Sequence, residues 1–272
     1  MSGTFFRIYY GPAFQSAQLE RRTLVVPPSL AAFEGLSILF MTDLHVSRMF
    51  PEKALVRLID QTAALRPDIL CLGGDLAESE EDQAVMLKHI GRVSPRCGAF
   101  AVPGNNDRAH FYQNGVSLTD RLRECGVTML VDAETHLDLP QGRLTVAGLN
   151  ALTEHTRPAS PLFAGARDDE LRILMAHYPQ SLSLNLEICA AVPHLGLAGH
   201  THGGQFRFLG LTPYSIYFER RMASNLMPIA GWNDMLGFPI LVSPGIGTSR
   251  LPFRLNVPPA IHLITLTARP QS

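Results

Sequence analysis

LSILFMTDLH at 36–45, DILCLGGD at 68–75 and GAFAVPGNND at 98–107 decide how this chain folds. Each is a short, nearly unbroken apolar run that ends in a polar turn, the pattern of a strand buried on both faces. Between the first two lies PEKALVRLIDQTAALR (51–66), with Leu55, Leu58, Ile59 and Leu65 near helical spacing and Pro51 suited to a first helical turn. Between the second and third lies EDQAVMLKHIGRV (81–93), which also reads as a helix. The order is βαβαβ, which implies a largely parallel sheet with right-handed crossovers. Open α/β sheets carry their sites at the carboxyl ends of the strands. Here those ends supply Asp43 and His45, then Asp75, then Asn105.

Working outward, LTDRLRECG (118–126) reads as a helix stopped by Gly126, and 127–150 as strands joined by a turn near Pro140–Gly142. ELRILMAHYP (170–179) and HLGLAGHTH (194–202) are again strands running into polar loops, adding His177, His200 and His202. FPILVSPGIG and PPAIHLITLTA give two more strands near the end. Segment 205–239 has no clean period and is rich in aromatic, Pro, Gly and Met residues, so it reads as a long functional loop or cap that shapes substrate choice. No repeat or low-complexity linker divides the 272 residues, and a single domain is expected. The apolar, aromatic start of the chain, broken by Arg7, Gly11 and Pro12, reads as an ordered strand or packed arm.

Composition narrows the function classes. Hydrophobic residues at 46% and charged residues at 17% describe a globular chain with a sizeable core. A formal charge of −1 argues against a broad nucleic-acid surface. Cys71, Cys97, Cys125 and Cys189 form no C-x-x-C pair and read as reduced and mostly packed. No segment approaches the roughly 20 apolar residues of a membrane span. The expected location is cytoplasmic, with peripheral contact at the inner membrane surface or with lipid left open. No protein partner is inferred.

Taken singly, the motifs are weak, because D-x-H, G-G-D and loop histidines all occur as ordinary turns and surface. Six histidines (His89, His110, His136, His155, His194 and His262) are read as polar surface. The remaining set, Asp43, His45, Asp75, Asn105, His177, His200 and His202, is different. Every member follows an apolar strand, and together they offer carboxylate, imidazole and amide ligands suited to divalent transition metals.

Asp43-Leu44-His45, Gly74-Asp75, Gly104-Asn105-Asn106-Asp107, His177 and Gly199-His200-Thr201-His202 resemble the motif series of the calcineurin-like metallophosphoesterases. The resemblance spans roughly residues 35–265. GHTHGGQ (199–205) and the tail at 242–266 look like the YkuE/YaeI-like branch, which includes lipid-associated members acting on UDP-2,3-diacylglucosamine. It implies a four-layer α/β sandwich of two mixed β-sheets flanked by helices. It also implies two divalent ions (Mn, Fe, Zn or Co). Asp43, His45 and His202 would hold the first, and Asn105, His177 and His200 the second. Asp75 would bridge them, and an activated bridging water would be the nucleophile.

The implied substrate is a phosphate ester: a phosphodiester or pyrophosphate, on a lipid-linked nucleotide or on a soluble or cyclic one. A non-catalytic binding module is the third reading. One departure stands out. Asn106 occupies the position of the family's catalytic histidine, and an amide cannot give up a proton at neutral pH. Asp107 is expected to orient that neighbour, and His110 or His155 to substitute as the acid. Arg48 and Arg108 are the favoured phosphate-binding arginines, ahead of Arg250 and Arg254 in the tail.

Overall fold

The computed structural model describes residues 7–10, 17–109, 112–113, 115–151, 158, 160–208, 211–212 and 228–268. Two six-stranded mixed sheets face each other. The first runs in the order Gln18–Val25, Ala260–Thr267, Ser37–Met41, Ile69–Leu72, Gly98–Ala101, Val127–Met129. Its last four strands are parallel, as the βαβαβ reading requires, and Ala260–Thr267 enters antiparallel to Ser37–Met41. The second runs Gly231–Asn233, Ile240–Val242, Leu195–Ala198, Glu170–Met175, Gly142–Gly148, Ala133–Leu139, with a parallel centre and antiparallel edges.

Alternation along each strand sorts the core into layers. Ile38, Phe40, Ile69, Cys71 and Phe100 point from the first sheet toward Leu144, Val146, Ile173, Met175 and Leu197 of the second. Their neighbours Leu39, Met41, Leu70 and Leu72 point the other way, onto Leu55, Leu58 and Ile59 of helix Glu52–Ala64 and Met86 and Ile90 of helix Glu80–Ile90. Ala147, Leu174, Ala198 and Ile240 of the second sheet face Leu162, Phe163 and Leu182, the last on helix Pro179–Leu184. The result is the four-layer sandwich expected from the sequence. Ser79 caps its helix by accepting the Asp82 N–H, and Ser117 caps Leu118–Glu124 by accepting that of Asp120.

Four of the described strands had no sequence reading, among them the short pair Tyr112–Gln113 and Val116–Ser117. Gln18–Val25 (QLERRTLV) is half exposed and polar, with no buried run to betray it; it pairs parallel with Ala260–Thr267 at the sheet edge. Phe253–Leu255 pairs antiparallel with Ile8–Tyr10, which makes the start of the chain an ordered strand over those residues. Of segment 205–239, the end forms the edge strand Gly231–Asn233, while 209–210 and 213–227 lie outside the described residues.

His262 corrects the polar-surface reading of the histidines. It is buried in the first sheet and held between Glu20 and the Ser243 hydroxyl. His194 is partly buried beside Arg172, and burial followed by that charge lowers its pKa to about 4. His110 and His155 lie outside the described residues. All four cysteines are free. Among the described residues, no helix is long and apolar enough to cross a membrane.

Candidate metal centre

Strands from both sheets deliver their carboxyl ends to one place. Asp43 and His45 follow Ser37–Met41, Asp75 follows Ile69–Leu72, and Asn105 opens a short helix after Gly98–Ala101. His177 follows Glu170–Met175, and His200 and His202 follow Leu195–Ala198 in the opposite sheet. Asp43, His45, Asp75, His200 and His202 all have positive φ, between 46° and 67°. Left-handed backbone costs a side chain energy, and its concentration here marks a site the surrounding fold holds in place.

The atoms converge as two neighbouring sets. His45 Nε2 lies 3.2 Å from His202 Nε2, with Asp43 Oδ1 3.9 and 3.5 Å from the two rings. His177 Nε2 lies 3.2 Å from Asn105 Oδ1 and 3.3 Å from His200 Nδ1. Asp75 Oδ2 stands between the sets, 3.5 Å from His45 Nε2 and 3.4 Å from His177 Nε2. Asp43, His45 and His202 form one group able to hold an ion, and Asp43, Asp75 and His177 another.

Each donor is aimed. Asp43 Oδ2 accepts the Thr42 hydroxyl at 2.7 Å and the His200 N–H at 3.0 Å, leaving Oδ1 toward the rings. Asp75 Oδ1 accepts the Asn106 N–H at 2.8 Å, leaving Oδ2 free. His177 Nδ1 donates to the Gly73 carbonyl at 2.8 Å, which directs Nε2 inward, where a cation would take the place of its proton. Buried lone pairs of imidazole, amide and carboxylate turned toward one another repel unless a cation lies among them. The donor chemistry therefore fits a pair of divalent metal ions.

The charge balance agrees. Burial would depress His177, but Asp75 and Asp43 outweigh it and raise the imidazole to about 9. Burial would likewise raise Asp75, yet the His177 and His45 charges hold its pKa well below the ordinary value. Burial and the His177 charge push His200 down to about 3. Burial, His45 and Arg254 hold His202 far below its usual value. In the metal-free chain a proton on His177 offsets the carboxylates, and a bound cation would displace it.

Residues around the cluster depart from the sequence expectations. Asp107 does not orient Asn106. It is fully buried, and its carboxylate accepts the N–H groups of Asp75 (2.8 Å), Leu76 (2.9 Å) and Gly104 (2.8 Å), tying two ligand loops together. Burial and the Asp75 charge raise its pKa to about 6. The acid beside Asn106 is Glu78, which had no sequence reading; it accepts from Asn106 Nδ2 at 3.2 Å. Arg254 is neither a surface residue nor a phosphate ligand. It is fully buried, donates to the carbonyls of Gly247, Pro244 and His202, and lies 3.2 Å from His202 Nδ1. Arg48 and Arg250 are exposed, and the Arg108 side chain lies outside the described residues. Tyr178, also unread in the sequence, packs its ring 4.0 Å from that of His200.

The model of the family described as calcineurin-like phosphoesterase matches residues 36–204, which covers both sets of converging side chains. The chain belongs to that family. It is accordingly a metallophosphoesterase, a hydrolase of phosphoric esters, and the family is dinuclear and metal-dependent. It is 28% identical to the phosphodiesterase YaeI of Escherichia coli over 84% of this chain and 81% of that one. It is 27% identical to an uncharacterized metallophosphoesterase of Aquifex aeolicus over 86% of each chain. A putative metallophosphoesterase of Caenorhabditis elegans is 27% identical over 63% of this chain, which spans only 37% of that protein.

Proposed function

We propose that this metallophosphoesterase cleaves a phosphodiester or pyrophosphate bond, with Asp43, His45 and His202 holding one divalent ion, Asn105, His177 and His200 a second, and Asp75 shared. The observation that carries the reading is the position of Asp75 Oδ2, nearly equidistant from His45 Nε2 and His177 Nε2 at 3.5 and 3.4 Å. When bound, the ion pair supplies a water of lowered pKa and positive charge against the phosphoryl oxygens. The chain's own residues do the rest. The two carboxylates and four imidazoles set the ions' spacing, Thr42 and the His200 amide keep Asp43 aimed, and the Gly73 carbonyl does so for His177.

Leaving-group protonation is what this site lacks. Asn106 Nδ2 donates to Glu78, and an amide has no proton to transfer. General acid assistance is worth about 10²–10⁴-fold, so a substrate with a good leaving group is the one this site suits. A nucleoside phosphate expelled from a pyrophosphate meets that requirement.

A lipid-linked nucleotide such as UDP-2,3-diacylglucosamine is favoured over a soluble or cyclic one by the surface beside His202. Phe208, Leu211 and Leu251 are about half or more exposed there, Phe206 packs on Phe253, and Arg207 and Arg250 stand exposed among them. An apolar lip carrying cations suits an acyl chain joined to a phosphate. The likeness to the phosphodiesterase YaeI of Escherichia coli points to the same reaction class.

Product analysis with the Mn²⁺-loaded chain tests both parts. The expected result is release of a nucleoside monophosphate from UDP-2,3-diacylglucosamine and slow turnover of cyclic nucleotides; the reverse preference would discard the lipid-linked reading. Across aryl phosphodiesters the rate should fall steeply as leaving-group pKa rises, and Asn106→His should flatten that dependence. An unchanged slope in the variant would mean that the acid is supplied from elsewhere.

A further inference from the structure

We propose that Glu78 is the positioning residue of this centre, aiming one ligand of each metal set through a single carboxylate. The inference rests on the two-metal reading above and adds a role to a residue outside the ligand motifs.

Backbone pairing puts Glu78 there. Beyond the ends of their strands, the chains after Ser37–Met41 and Ile69–Leu72 stay paired. The Val46 N–H reaches the Leu76 carbonyl at 3.1 Å, the Glu78 N–H reaches the Val46 carbonyl at 3.1 Å, and Val46 bridges Ala77. This extension sets Glu78 beside His45. One carboxylate oxygen, Oε1, then meets two donors, His45 Nδ1 and, at 3.2 Å, Asn106 Nδ2.

Each contact fixes a direction. A carboxylate accepts only, so the His45 proton sits on Nδ1 and the Nε2 lone pair faces Asp43, Asp75 and His202. On the other branch, the Asn106 amide is oriented with its nitrogen on Glu78, so its Oδ1 accepts from Asn105 Nδ2 at 2.9 Å. That turns the Asn105 amide nitrogen away from the centre and its Oδ1 toward His177 Nε2, 3.2 Å away. The chain Glu78–Asn106–Asn105 thereby aims an oxygen ligand of the second set, as Glu78–His45 aims a nitrogen ligand of the first. Asp107, the carboxylate next along the chain from Asn106, is excluded from this role because its oxygens are committed to three backbone N–H groups. The amide at 106 thus acquires a function in place of the histidine's.

Calorimetric titration of the chelator-stripped full chain with Mn²⁺ tests the proposal, with Glu78→Gln, Glu78→Ala and Asn106→Ala beside the natural chain. The natural chain should bind two ions. Glu78→Ala should weaken both by about 10–100-fold, the usual loss on removing a ligand's outer partner. Glu78→Gln, whose amide oxygen can take the place of Oε1 and meet both donors but carries no charge, should fall between. Asn106→Ala should weaken one ion and spare the other.

A structural role would instead shift the melting temperature of the metal-free chains, which should stay constant because Glu78 is 42% exposed. In the Zn²⁺-loaded natural chain, a slowly exchanging imidazole Nδ1 proton assigned to His45 should be seen by NMR, and Glu78→Ala should abolish it. If all three variants bind both ions as tightly as the natural chain, Glu78 has no such role while the two-metal reading stands. If the natural chain itself binds no Mn²⁺, both fall together.

Discussion

Asp75→Asn should reduce turnover of bis-p-nitrophenyl phosphate by at least about 10³-fold, beyond the 10²–10³ that one hydrogen-bond donor contributes at a reacting oxygen. The substitution is nearly isosteric and keeps Oδ1, which accepts the Asn106 N–H, so the local backbone has no reason to move. What is lost is the charge on Oδ2, which lies 3.5 Å from His45 Nε2 and 3.4 Å from His177 Nε2. Two cations held side by side repel, and without that charge the second ion should bind far more weakly; uptake should fall from two ions to one. A second readout is independent of turnover. Asp75 is the largest influence raising His177 toward 9 against its burial, so the variant's metal-free imidazole should titrate well below that value by NMR. A variant that kept two ions and most of its rate would show that the ions are not joined through this residue.

Gly104→Ala should be as damaging, for a steric reason. A methyl at residue 104 would lie 2.1 Å from Asp75 Oδ1 and 2.2 Å from the Asp75 nitrogen. Backbone occupies that space, so the PGNND loop must withdraw from the Asp75 loop. Withdrawal breaks the Asp75 and Leu76 hydrogen bonds to the buried Asp107 carboxylate, which moves with the loop. Overpacking alone costs about 1–3 kcal/mol, and exposing or stranding a buried carboxylate adds to it. The melting temperature should drop by several degrees and Mn²⁺ uptake should fall below two ions per chain, because Asn105 moves with the loop. Thermal denaturation with metal analysis checks both. A normal melting temperature with full metal content would contradict the packing described for this loop.

The convergence of these seven side chains was legible in the sequence because each follows an apolar strand. In MTDLH, LGGDL, MAHYP and AGHTH the change from buried to polar falls within two or three residues, and parallel strands carry such changes to one edge. The same runs called for strands covered on both faces, since SILFM and ILCL are apolar at both parities; the four-layer arrangement itself was what the family resemblance implied.

Other features depend on partners far away in the chain. Gln18–Val25 is polar because it lies at an edge, and only its pairing with Ala260–Thr267 reveals it as a strand. Arg254 resembles a surface residue in sequence, yet three backbone carbonyls in two loops satisfy its guanidinium. Glu78 sits in AESEED, a stretch that reads as the solvated start of a helix. Its distance of three residues from Asp75 was a usable signal only once the loops after the two strands were known to stay paired as far as Val46.

The central claim is that one protein chain holds two ions through a shared Asp75. Anomalous diffraction from crystals grown with Mn²⁺ tests it most directly. The account predicts two manganese peaks per chain, about 3.5–4 Å apart, one against Asp43, His45 and His202, the other against Asn105, His177 and His200, with Asp75 touching both. A single peak, or two peaks with no common carboxylate, would contradict it.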